Sequence, residues 1–179
     1  MNTLTTTLEP VTEEDITNVT GIETTEVKKI LEAIADFTTA DYRQIRRAEQ
    51  EGIPDVRIDR LNLFMKKMPR YEGYIYRGLS LGKKSIQPFI ERLEKSERYT
   101  LEAMASFTCS PSVAENYSGS CYSVVLRVQG NHSGVSIRNF SAMYTEEEVL
   151  VPKDTQYQVV NLPEKFERGK INYIDLREI

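Results

Sequence analysis

The apolar residues change their period at Tyr71, and that change limits the folds open to the chain. Before it they recur every three or four residues, the spacing of one helix face. Val27, Ile30, Leu31, Ile34 and Phe37 form one such stripe behind a Thr-rich, acidic lead-in. Thr39 is placed to cap a second helix through Tyr42, Ile45 and Ala48, which Gly52 and Pro54 interrupt. A third stripe carries Ile58, Leu61, Phe64, Met65 and Met68 and stops at Pro69; a Met and Phe face of this kind reads as core. After Tyr71, short aromatic and β-branched runs bounded by turn residues take over. Strands are expected over 74–78, 103–108, 121–128, 135–137, 147–151, 157–162 and 171–176, with short helices over 85–95 and 112–117. Helices first and strands afterwards imply an α+β fold with a mostly antiparallel sheet. Nothing resembling a linker separates the parts, so one domain is expected over 1–179, with a helical lobe at 1–70 and a β-rich core at 71–179.

Composition narrows the chemistry. Of 179 residues, 40% are hydrophobic and 28% charged, which is globular and sufficient for a core. The 23 Lys and Arg against 27 Asp and Glu leave a net charge of -4, so a basic surface for nucleic acid is not indicated, although a local basic patch is not excluded. Cys109 and Cys121 are too few for a disulfide framework and lack zinc spacing. His132 is the single histidine, which excludes an ordinary His-rich zinc centre and leaves any metal site dependent on carboxylates. No apolar run is long enough to cross a bilayer, and the first residues lack the charged and apolar regions of a signal peptide. The expectation is a cytoplasmic monomer, in the producing cell or in a cell that receives it.

Three short stretches carry candidate chemistry. Glu146-Glu147-Glu148 precedes Val149-Leu150-Val151. On a strand, Glu146 and Glu148 would share one face and Glu147 would take the other. That is either a solvated charge run or a carboxylate pair in a cleft, where like charges raise one pKa. Tyr76-Arg77-Gly78 ends an apolar strand with a fixed cation and a residue without Cβ. It suits either a surface ion pair or a phosphate with close backbone approach. Ser106-Phe107-Thr108 places two hydroxyls on one strand face, and Ser112 is placed to cap the helix that follows. A serine or cysteine nucleophile would need His132, which sits in a turn-like Gly-Asn-His-Ser-Gly run. No glycine-rich phosphate loop is present.

In order and spacing, these stretches together resemble the Arg–Ser–Glu class of mono-ADP-ribosyltransferases. The matching residues are Tyr76-Arg77-Gly78, Ser106-Phe107-Thr108 with Val113-Ala114 and Tyr117, and Glu146-Glu147-Glu148-Val149-Leu150-Val151-Pro152. The resemblance covers roughly 71–176 and looks nearest to the Mod/Alt-type enzymes of T-even-like phages and to bacterial effector or toxin domains. It implies a helical lobe packed on a two-sheet β core, and NAD as co-substrate without a metal. It implies transfer of ADP-ribose to arginine side chains of a target protein, which would be host transcription or translation machinery if the chain is phage-encoded. An NAD glycohydrolase on the same site and a non-catalytic α+β binding module are the alternatives.

Residue by residue, the resemblance assigns Glu148 to the ribose 2′-hydroxyl and the developing cation, and Glu146 to the arginine acceptor. Arg77 would grip the NAD phosphates, and Gly78 would present backbone groups to nicotinamide. Ser106 would orient Glu148, with Thr108 in place of the motif's second serine. Phe107 stands where the motif has threonine, and its side chain is expected to face away. Tyr117 would stack on nicotinamide, and Tyr144 matches the aromatic of the substrate-recognition loop. A second phosphate-binding arginine has no match near Ser120.

Overall fold

The computed structural model describes residues 12–119 and 121–179. The expectations about the first residues and about Ser120 fall on positions outside that description. Four helices come first: α1 (Glu13–Thr20), α2 (Thr24–Phe37), α3 (Tyr42–Glu51) and α4 (Val56–Lys67). The lead-in does hold a helix, which starts on a capping box: the Thr12 hydroxyl accepts from the Asp15 N–H while the Asp15 carboxylate receives the Thr12 N–H. Thr39 does not cap α3. The N-cap of that helix is Asp41, and the Thr39 hydroxyl instead donates to the Ala35 carbonyl at the end of α2, 2.8 Å away. The expected stripes of α2 and α4 are buried apart from Leu31, which is only partly covered, with Ile30, Ile34, Phe37, Leu61 and Phe64 fully enclosed.

Eight strands follow, interleaved with two helices: β1 (Ile75–Leu81), α5 (Lys83–Ser96), β2 (Arg98–Thr100), β3 (Ala105–Thr108), α6 (Pro111–Tyr117), β4 (Tyr122–Gln129), β5 (Val135–Ser136), β6 (Glu148–Val151), β7 (Gln156–Asn161) and β8 (Ile171–Glu178). Hydrogen bonding runs in the order β2-β7-β8-β4-β1-β3-β6-β5. All pairs are antiparallel except β4 with β8. Where two sheets were expected, the strands of the described residues form one eight-stranded sheet with a weak point in it. β1 meets β3 through one registered pair, Tyr76 with Thr108, whereas β1 and β4 share a full ladder. A five-stranded ladder and a three-stranded one therefore meet at a thin join.

Two cores form. In one, Leu126, Tyr157 and Ile174 of the larger ladder pack with Phe107 and Val149 of the smaller one and with α5. The helical lobe packs on Met104, Val135, Ile137 and Leu150 of the smaller one. The lobe is also tied down by polar contacts. The buried Glu49 carboxylate accepts the Met104 N–H at 2.6 Å, and Arg46 donates to the Met104 carbonyl at 2.9 Å. Both bonds hold α3 against the segment that leads into β3. Among the described residues no helix is long and apolar enough to cross a membrane.

α6 lies across β1 at Gly78. A Cβ there would stand 2.1 Å from the Ala114 carbonyl oxygen and 2.6 Å from the Ser118 nitrogen. Both are backbone atoms and cannot turn aside. Gly78→Ala should therefore push α6 off the sheet and destabilise the fold by about 1–3 kcal/mol, the usual cost of overpacking. Thermal unfolding would read this as a drop of several degrees, and an unchanged midpoint would contradict the close packing.

Candidate active site

A cleft of about 380 Å³ opens between the helical lobe and the join of the two ladders. That is within the range of small-ligand sites. Arg77, Gly78, Ser106, Thr108, Tyr117, Glu146 and Glu148 all line it. These are the site residues expected from sequence apart from Tyr144, whose backbone lies in a 3-10 turn (Tyr144–Glu146) and whose side chain is outside the described residues.

The two glutamates reach the cleft by a route the strand argument did not anticipate. β6 begins at Glu148, and Glu146 lies in the turn before it. Glu147 between them has φ 48, in the left-handed region. This kink, rather than strand alternation, brings both carboxylates to the cleft. The Glu147 carboxylate turns to the Cys109 thiol, which donates to it at 3.4 Å.

Glu148 is nearly enclosed, with 5% of its surface exposed. Ser106 donates to one carboxylate oxygen at 2.7 Å, and Ser141 donates to the other. Burial raises the Glu148 pKa above the usual carboxylate range, and the two hydroxyls oppose that rise. Neighbouring Glu146 adds to it. The result is a carboxylate with its rotamer fixed at both oxygens. Ser106 does what was expected of it. Ser141 was not anticipated, since a lone serine in an irregular loop carries no sequence signal.

Arg77 rises from β1 under the helical lobe. Its Nη2 donates to the Tyr42 hydroxyl at 3.2 Å. Its guanidinium lies over the Phe107 ring, 5.7 Å from the centroid. Phe107 is therefore not turned away from the site but forms the shelf beneath its cation. The Nη1 atom is buried and has no hydrogen-bond partner among the described residues. A buried N–H on a cation is costly to leave unpaired, so an anionic ligand group fits this atom. Tyr42 is a second residue that sequence reading missed. Its aromatic ring matched a helix stripe, and nothing in the spacing marked its hydroxyl.

Thr108 acts on the protein itself. Its hydroxyl donates to the Glu146 carbonyl at 2.6 Å and accepts the Ser110 N–H at 3.0 Å. It thus ties the glutamate turn to the start of α6. The N-cap of that helix is Ser110 rather than Ser112. Tyr117 ends α6 with 59% of its surface exposed. Its hydroxyl donates to the Glu146 carboxylate, and this bond, with some burial, pushes the phenol pKa up to about 12. No group of three or more His, Cys, Asp or Glu side chains able to hold a metal is found among the described residues.

The site thus holds an anchored carboxylate, a second carboxylate beside it and a half-paired arginine in one cleft. The family model of NAD:arginine ADP-ribosyltransferases matches residues 60–179, and the chain belongs to that family. A curated relative, the NAD(+)–arginine ADP-ribosyltransferase Mav of Mycobacterium avium (strain 104), is 28% identical over 135 residues. That match takes in 73% of this chain but spans only 16% of the relative's own length. Solved structures share the fold. The Vis toxin of Vibrio splendidus superposes with a TM-score of 0.67 at 20% identity, over 93% of this chain and 82% of that one. It has also been solved with agmatine. HopU1 of Pseudomonas syringae pv. Tomato DC3000 gives 0.68 at 17% identity, over 94% and 88%. Exoenzyme S of Pseudomonas aeruginosa, bound to Carba-NAD, gives 0.65 at 15% identity, over 93% and 88%.

Proposed function

We propose that this chain transfers ADP-ribose from NAD to arginine side chains of a target protein, with release of nicotinamide. The observation that carries the reading is Glu148: a buried carboxylate held by Ser106 and Ser141 in the same cleft as Glu146 and Arg77. Nicotinamide leaves with the electron pair of the glycosidic bond, and positive charge develops on the ribose. A fixed carboxylate beside that carbon stabilises the charge, as in glycoside cleavage. The guanidinium nitrogen then forms the new bond to the ribose and releases its proton. Glu146 holds and polarises the guanidinium rather than deprotonating it beforehand, because free arginine keeps its proton to a pKa of about 13.8. Two relatives support the ligand classes, since Vis has been solved with agmatine, a guanidine, and Exoenzyme S with Carba-NAD.

Label transfer from NAD to protein in a cell lysate tests the reading. Protein labelling is the expected result, and free ADP-ribose alone would replace transfer with hydrolysis. Hydrolysis is the second reading because the Tyr117 end of the cleft is open to water. The working compartment we infer is the cytoplasm of the producing or the target cell.

Arg77 supplies a further test. Arg77→Lys keeps the charge but loses the planar fork, and with it the bond to Tyr42 and the contact over Phe107. NAD affinity by calorimetry should fall by about tenfold, the scale of one charge-assisted hydrogen bond. Equal affinities would place Arg77 outside the binding site.

A further inference from the structure

The bond between Tyr117 and Glu146 joins two neighbouring walls of the cleft. Tyr117 projects from α6, and Glu146 projects from the turn before β6. Neither wall yields easily. The α6 backbone is pressed onto β1 at Gly78, and the Glu146 carbonyl is held by Thr108 at 2.6 Å. The contact can therefore be broken only by side-chain rotation. With 59% of its surface exposed, the released phenol has water to bond to, so opening strands no buried donor and costs only the bond to Glu146. The Tyr117 ring was expected to stack on nicotinamide, yet its hydroxyl is committed to the acceptor glutamate.

We propose that Tyr117 is a latch on the acceptor side of the cleft, and that an incoming guanidinium gains Glu146 by displacing the Tyr117 hydroxyl. This rests on the assignment of Glu146 to an arginine acceptor. The displacement selects among acceptors. A phenol offers the carboxylate one neutral donor. A guanidinium offers a full charge and two parallel N–H groups, which is the stronger partner. Water brings no charge, and an ammonium brings charge without the fork. Glu146 is thus closed to weak partners and open to arginine.

Tyr117→Phe separates the latch from stacking, because the ring remains and only the donor is lost. Calorimetric titration of agmatine should show binding to the variant about three- to tenfold tighter than to the unaltered chain, the span of a hydrogen bond to an exposed charged group. The KM for agmatine in NAD-dependent transfer should fall by the same factor. In a Glu146→Gln background the gain should vanish, as a double-mutant cycle requires of a direct contact. Equal or weaker agmatine binding by Tyr117→Phe would overturn the latch, as would a gain that survives without Glu146. Failure of both proteins to bind agmatine would overturn it too. The acceptor assignment fails separately, if the unaltered chain binds agmatine but transfers no ADP-ribose to it.

Discussion

Replacing Glu148 by glutamine should lower turnover roughly a hundred- to a thousandfold, the scale of one preorganised electrostatic stabiliser. The charge it opposes exists only in the transition state, so kcat should fall far more than NAD affinity. Transfer and hydrolysis should suffer together, because both break the same bond. The fold should not suffer. Burial raises the Glu148 pKa in the folded chain, so the folded state holds this proton more tightly than the unfolded state does. The group's contribution to stability is thus fully present at low pH and is lost as pH rises through the folded pKa. A neutral glutamine removes that loss, and thermal unfolding at neutral pH should occur no lower than in the unaltered chain. A low rate with an unchanged melting point assigns the defect to chemistry. Near-native rates would remove Glu148 from the reaction.

Glu146→Gln should separate the two reactions instead. Its carboxylate serves the acceptor, which hydrolysis does not use. Glutamine keeps the size and one acceptor oxygen but loses the charge, and charge-assisted pairs are about twice as strong as neutral ones. Transfer to protein or to agmatine should fall by about tenfold or more, while most NAD hydrolysis should remain. Glu147→Gln is the control, since the Glu147 side chain faces Cys109. If Glu146→Gln stops hydrolysis as completely as Glu148→Gln, the division of labour is wrong and arginine specificity falls with it.

Much of the fold is legible in the sequence, for reasons that differ by element. α2 and α4 announce themselves because a buried helix face needs apolar residues at helical spacing, and Ile30, Ile34, Leu61 and Phe64 supply it. α1 was read as a polar lead-in because only Ile16 and Thr20 are buried; its signal was the Thr12–Asp15 box. β2 is a three-residue edge strand, Arg-Tyr-Thr, too short to show alternation. Arg77, Ser106 and Glu148 stand out because their order and spacing resemble a known pattern, and all three line the cleft. Their supports do not. Ser141 reaches Glu148 from a loop, Tyr42 reaches Arg77 from another lobe, and Phe107 supports that cation from the strand beside it. Such contacts depend on tertiary geometry, which no local pattern encodes. Strand alternation does not bring Glu146 beside Glu148: Glu146 lies in a turn, and the left-handed Glu147 turns both carboxylates to the cleft.

The one registered pair between β1 and β3 gives the molecule a line of mechanical compliance through its working centre. A long ladder resists shear because its bonds must break together; a single rung offers no such cooperation. Arg77 and Gly78 stand on one bank of this line, and Ser106 and Glu148 on the other. A donor gripped from both banks replaces the missing rungs, so on the proposed reading the dinucleotide acts as a rivet. On the same reading, its binding would stiffen the sheet and complete the reactive geometry.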